Sequence, residues 1–259
     1  MPTPFPSEPA ERTAVVTGAA SRRGIGRATA HRLARERWSV AVLDRDAEGA
    51  KTVAAELAHR WEVPTLALAA DISDEAAVDV AIGEVEARLP PVVGLANVAG
   101  VSSPVAFLDL TTAEWDRVFA INMRGTYLVT RRIVPGMVER KLGRVVSVSS
   151  ISAQRGGGTY SKVPYSASKA AVIGFTRALA REVGPHGVTV NCVAPGPVDT
   201  DIMGGTLTAE RKAEMSVGMP VGRVGTVDEV AALITFLLGA DAGYITAATY
   251  DINGGLQVS

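Results

Sequence analysis

Tyr165 and Lys169 stand four residues apart in Tyr165-Ser166-Ala167-Ser168-Lys169, and on a helix that spacing puts both on one face. A tyrosine hydroxyl ionises near pH 10, too high for a good base at neutral pH. A neighbouring ammonium favours the phenolate and lowers that value. Such a pair can take the proton of an alcohol as hydride leaves its carbon, or return one to a ketone. Tyr160 is a decoy, because its partner four residues on is Pro164. A lone tyrosine–lysine pair is common, so the reading needs a hydride carrier elsewhere in the chain.

The run Thr17-Gly18-Ala19-Ala20-Ser21-Arg22-Arg23-Gly24-Ile25-Gly26 offers a place for one. Glycines at 18, 24 and 26 let the backbone turn tightly against a pyrophosphate, and the helix that follows presents free N–H groups to its charge. Ser21, Arg23 and Ile25 are the other candidates for phosphate contact. The next apolar run, 39–43, ends at Asp44, an acid placed to accept from ribose hydroxyls and to repel a 2'-phosphate. That points to NAD. Arg22, Arg23 and Arg45 oppose it, since a guanidinium pairs with a 2'-phosphate, and NADP stays open.

These groups need a scaffold, and the chain alternates strand-like and helix-like segments throughout. Strands are expected at 13–17, 39–43, 64–69, 92–97, 144–149, 188–193 and 246–251. Most are short apolar runs without alternation, as in a parallel sheet buried on both faces. Between them, Ala50, Val53, Ala54 and Leu57 recur with helical period, as do Val78, Ala81, Ile82, Val85 and Leu89. The expectation is a doubly wound α/β fold, a parallel sheet with helices on both faces. Residues 1–11 read as a flexible arm and 12–259 as a single domain. The stretch 201–226 breaks the rhythm and reads as an insertion that covers a site.

Composition narrows the function classes. The 259 residues are 47% hydrophobic and 20% charged, a globular profile. A net charge of -1 gives no global case for nucleic acid or an anionic membrane. No apolar run is long enough for a membrane helix, and the start lacks the pattern of a signal peptide. The single cysteine, Cys192, excludes an internal disulfide and reads as a buried hydrophobe. Three scattered histidines with one cysteine make a poor ligand set, so no metal is expected. These features suit a cytoplasmic enzyme.

Taken in order, the motifs resemble those of the short-chain dehydrogenase/reductases. The glycine turn is similar to that family's T-G-x-x-x-G-x-G, with two extra residues. Asp71, followed by Ile72, matches the aspartate near the adenine ring. Asn97-Val98-Ala99-Gly100 resembles N-N-A-G, Asn122 matches the helix asparagine, and Ser150 and Tyr165 to Lys169 match the catalytic serine and Y-x-x-x-K. Pro195-Gly196-Pro197-Val198-Asp199-Thr200 resembles the segment that holds the nicotinamide carboxamide, and Asp251-Ile252-Asn253-Gly254-Gly255 the C-terminal signal.

The resemblance implies a Rossmann-type sheet of seven strands in the order 3-2-1-4-5-6-7. It implies a catalytic set of Asn122, Ser150, Tyr165 and Lys169. Ser150 would hydrogen-bond the substrate oxygen, Lys169 the nicotinamide ribose, and Asn122 a water leading to solvent. It implies cofactor contacts at Gly18, Ser21, Arg23, Gly24, Ile25, Gly26, Asp44, Asp71, Ile72, Asn97, Ala99, Gly100, Tyr165, Lys169, Pro195, Gly196, Val198 and Thr200. It also implies a homotetramer.

Two departures matter for the chemistry. The glycine turn is longer than usual, and Ser150 lies farther before Tyr165, with Gly156-Gly157-Gly158 between them. Ser152, Gln154 and Tyr160 are the substrate-pocket candidates. The first reading is NAD-dependent oxidation of a sugar, polyol or hydroxy acid. The second is NADPH-dependent reduction of 3-oxoacyl thioesters or other ketones. A cofactor-binding regulatory protein without turnover is a distant third.

Overall fold

The apolar runs form β1 (Thr13–Thr17), β2 (Ser39–Asp44), β3 (Thr65–Ala69), β4 (Val92–Asn97), β5 (Gly143–Val148), β6 (Val188–Pro195) and β7 (Thr249–Ile252). The helices are α1 (Ile25–Arg35), α2 (Ala47–Trp61), α3 (Glu75–Arg88), α4 (Thr112–Phe119), α5 (Thr126–Arg140), α6 (Ser152–Arg155), α7 (Val163–Val183), α8 (Ala209–Ser216) and α9 (Val227–Leu238). This computed structural model describes residues 9–159, 161–203 and 205–257. Most of the expected arm, and Tyr160, lie outside them.

The strands pair in parallel in the order β3-β2-β1-β4-β5-β6-β7, as the resemblance implies. Each face of the sheet has its own apolar core. One gathers Leu33, Trp38, Val53, Leu57, Ile234, Leu237 and Leu238 from the α1, α2 and α9 side. The other gathers Val78, Ile82, Val85, Leu128, Ile133, Met137 and Val183 from the α3, α5 and α7 side. The periodic residues of α2 and α3 are the ones buried, apart from the partly buried Leu89. The chain reverses its winding between β1 and β4, which opens a crevice at the carboxyl ends of those strands.

The last strand is shorter than the sequence suggests because Ala247 adopts a left-handed φ of 61°. That conformation costs a residue with a Cβ about 1–2 kcal/mol. Ala247→Gly is therefore expected to stabilise the fold by about 1 kcal/mol, read as a rise in Tm of about 2–4 °C.

Candidate active site

Thr17 ends β1, and its hydroxyl accepts from the amides of Val98 (3.0 Å) and Ala99 (3.1 Å), fastening the segment after β4 against the glycine turn. The approach is close enough to require glycine at 18. Its φ is +69°, and a Cβ there would lie 2.6 Å from the Ala99 Cα. At Gly26 a Cβ would meet the Gly18 carbonyl oxygen at 2.4 Å, which fixes how α1 leaves the turn. Side chains cap α2, α3, α4, α8 and α9 through Asp46, Asp74, Thr111, Thr208 and Thr226. Gly24 begins α1 with no side-chain cap and no acid in the first turn. The α1 start is left to an anion, where aligned N–H groups favour negative charge.

A cleft of about 740 Å³ runs across the carboxyl ends of the strands from this turn. Gly18, Ser21, Gly24, Ile25, Asp44, Asp71, Ile72, Ala99 and Gly100 line its first half. Ser150, Tyr165, Lys169, Pro195, Gly196, Val198 and Thr200 line the second. Asp44 closes β2 with Oδ2 accepting from the Ala20 amide (2.9 Å) and Oδ1 from the Asp46 amide (3.1 Å). Asp71 accepts from the amide and hydroxyl of Ser73, which hold its carboxyl below the usual range. These residues fit a dinucleotide: an uncapped helix start for the pyrophosphate and an acid for the ribose at the next strand end.

At the far end, Tyr165 sits in the first turn of α7 and lines the cleft together with Ser150. Burial pushes the phenol above its ordinary value, and the neighbouring Ser150 hydroxyl pulls the other way. The lowering by Lys169 expected from the sequence is not what dominates. The Lys169 Nζ lies 5.8 Å from the centre of the Tyr165 ring and donates to the Val148 carbonyl at 2.7 Å. Burial lowers the Lys169 pKa to about 8. Ser150 Oγ accepts from the Ser152 amide (3.1 Å), which orients the hydroxyl at the base of the pocket.

Asn122 lies in a widened helical turn, Ala120–Gly125, between α4 and α5. Its Oδ1 accepts from the Val101 amide (2.8 Å), and its Nδ2 donates to the Val101 carbonyl (3.0 Å) and the Ser168 hydroxyl (3.0 Å). Both ends of the amide are thereby committed to positioning.

Some expected residues stand elsewhere. Asn97 faces α5, donating to Thr130 (2.9 Å) and Ser147 (3.3 Å), because the strand alternates and its neighbour Val98 takes the cleft side. The Arg23 side chain reaches away to Asp199 and Thr206, since the longer turn carries it past the cleft. Gln154 donates to Asp251 (2.9 Å) instead of lining the pocket, whereas Ser152 does line it. Three supporting residues escape sequence reasoning. Ser149 donates to the Lys169 carbonyl (2.8 Å), Ser168 to the Tyr165 carbonyl (2.8 Å), and Thr17 ties β1 to β4. Ser149 stands beside a motif residue and Thr17 and Ser168 stand inside motifs, but residue type and spacing do not show what their hydroxyls bind.

Geometry of this kind defines a class: oxidoreductases that lay a dinucleotide across a parallel sheet and bring the reacting oxygen to a tyrosine hydroxyl. Comparison with known proteins narrows the class. A family described as enoyl-(acyl carrier protein) reductase matches residues 18–257. An uncharacterized short-chain type dehydrogenase/reductase, y4mP, of Sinorhizobium fredii is 41% identical over 95% of this chain and 98% of its own. A 3-oxoacyl-[acyl-carrier-protein] reductase, FabG, of Aquifex aeolicus is 36% identical over 95% of this chain and 97% of its own. The crystal structure of a 3-oxoacyl-[acyl-carrier protein] reductase with bound NAD from Brucella melitensis superposes with a TM-score of 0.87 at 31% identity, covering 98% of this chain and 94% of that one. The chain belongs to the short-chain dehydrogenase/reductases, NAD(P)-dependent oxidoreductases acting on a carbonyl or hydroxyl group. Among the described residues no helix is long and apolar enough to cross a membrane.

Proposed function

We propose that the protein reduces 3-oxoacyl thioesters to 3-hydroxyacyl thioesters, with NADH as the hydride source. The observation that carries the reading is the substrate end of the cleft. Val101, Ile151, Ile202, Met215 and Leu256 give it apolar walls, and Arg155 stands among them. Such walls suit an acyl chain, and a guanidinium suits the phosphate of a carrier arm. The sequence points first to a sugar, polyol or hydroxy acid. The relatives named above support the ketone reading instead, and Gln154, the amide offered for hydroxyls, is turned away to Asp251.

The cofactor reading departs from the NADPH that the sequence pairs with this reaction. Asp44 ends β2 in the cleft, where its charge would repel a 2'-phosphate; Arg23 is spent on Asp199, which leaves Arg45 as the guanidinium lining the cleft beside that acid. Asp44→Asn keeps an acceptor for the Ala20 amide while removing the charge. It is expected to weaken NADH and tighten NADPH, shifting their ratio of dissociation constants by about tenfold or more. Nicotinamide fluorescence titrations check it, and an unchanged ratio removes Asp44 as selector.

When bound, the nicotinamide supplies hydride to the ketone carbon. Tyr165 gives its proton to the ketone oxygen, and the Ser150 hydroxyl donates to that oxygen as its charge grows. Lys169 stabilises the phenolate that remains until it is reprotonated. The convergence of Ser150, Tyr165 and Lys169 on one cleft supports turnover over a regulatory role without catalysis. Acetoacetyl-CoA with NADH or NADPH, followed at the nicotinamide absorbance against a panel of polyols and sugars with NAD, tests the reading. Turnover confined to the polyols would overturn it.

Assembly as a homotetramer belongs to the same reading. It is supported by exposed apolar side chains on two separate faces, Phe236 and Tyr244 on one and Tyr127, edge-on against the half-buried Phe175, on the other. Light scattering on the eluting protein is expected to give four times the 26.9 kDa chain mass.

A further inference from the structure

The glycine turn of this chain carries two residues beyond its family's spacing, and the structure shows what the extra length does. Ser21 and the residue that ends the insertion, Arg23, face the segment that follows β6. The Arg23 guanidinium pairs with Asp199 and with the Thr206 hydroxyl. Its Nε lies 3.9 Å from Asp201. The Arg23 amide (3.1 Å) and the Ser21 hydroxyl (2.9 Å) both donate to Asp201 Oδ2. Lys212 of α8 pairs with the other oxygen of Asp199 at 2.5 Å.

The fastened segment has little else to hold it down. Helix α8 contains no buried residue, and among the described side chains between Asp201 and α8 Leu207 is the well-buried apolar one. The same segment carries Thr200, Ile202 and Met215 into the cleft. An isolated exposed ion pair contributes little, but this one is a network. It joins two carboxylates, a guanidinium, an ammonium, two hydroxyls and a backbone amide. It also links parts of the chain that are far apart in sequence.

We propose that Arg23 is a positioning residue: with Asp199 and Asp201 it forms a clasp that holds residues 205–216 over the substrate end of the cleft. The inserted length in the glycine turn is what lets it reach. Through this clasp the wall that meets the substrate is set by the turn that meets the cofactor. The role of that wall rests on the reading of the site given above.

Hydrogen exchange of the 205–217 amides, followed by mass spectrometry on the full chain, tests the clasp without any turnover. Arg23→Ala is expected to speed exchange there about tenfold while the core strands stay protected. Arg23→Lys, which keeps a charge without the fork, is expected to recover part of the protection. Asp199→Asn should also speed exchange there, and the double variant should fall clearly short of the product of the two single effects. In turnover, the loss in Arg23→Ala should fall on KM, by about tenfold, more than on kcat. Unchanged exchange in Arg23→Ala, additive effects in the double variant, or a loss confined to kcat would each overturn the proposal. If the wild type reduced no thioester, the substrate reading would fall, while the exchange comparison would still decide the clasp.

Discussion

Tyr165→Phe is expected to lower kcat by about a thousandfold and to leave NADH binding within a factor of two. The magnitude follows from losing a positioned proton donor, which is worth about 10²–10⁴ in rate. Retained binding follows from place. Tyr165 stands at the end of the cleft away from the glycine turn and Asp44, and α7 holds its backbone through Ser168. Stability should change little, because the ring keeps its place in the first turn of α7 and Ser150 keeps its bond to the Ser152 amide.

The direction of the reaction adds a second check. Burial raises the Tyr165 pKa, so the group holds its proton throughout neutral pH. Reduction uses that protonated form and should be flat across neutral pH. Oxidation uses the phenolate and should climb as pH rises toward the raised pKa. Normal turnover by the Phe variant, measured with the same thioester, would remove Tyr165 from the proton step.

Much of this site could be read from the chain because the chemistry is local. Tyr165 and Lys169 share a helix face by spacing alone. The glycines of the turn announce a backbone that must pass close to something, and the structure shows Gly18 against Ala99. The strands were legible as uninterrupted apolar runs, since burial on both faces removes the need for polar residues. What could not be read were directions and long-range partners. Spacing does not say that Asn97 turns into α5 while Val98 faces the cleft. Nor does composition say that Arg23 crosses to Asp199, because that pairing depends on two loops meeting. The shorter β7 follows from one left-handed alanine, and nothing in the residue type signals it.

The same burial that serves catalysis also strains the fold, and Lys169 is where the two can be separated. Its pKa falls from 10.5 to about 8 because the ammonium is buried, near Tyr165 and beside the neutral Cys192 thiol. A folded-state pKa below the unfolded value means that the native state binds this proton less tightly. The penalty is therefore fully present below about pH 8 and disappears as pH rises through 10.5. A shift of that size is worth about 3 kcal/mol. Lys169→Met removes the buried charge but also the hydrogen bond to the Val148 carbonyl, which returns about 1 kcal/mol.

The variant should then be more stable than wild type at pH 7 by about 1–2 kcal/mol, a rise in Tm of roughly 2–8 °C. The gain should shrink steadily between pH 8 and 10.5. Activity should fall by at least about a hundredfold, because no ammonium remains to stabilise the phenolate. Thermal melts of both proteins across that pH range, beside turnover at pH 7, check the two effects together. A Met variant that melted lower than wild type at pH 7 would mean the ammonium is compensated in the fold, and the burial account of its pKa would fail.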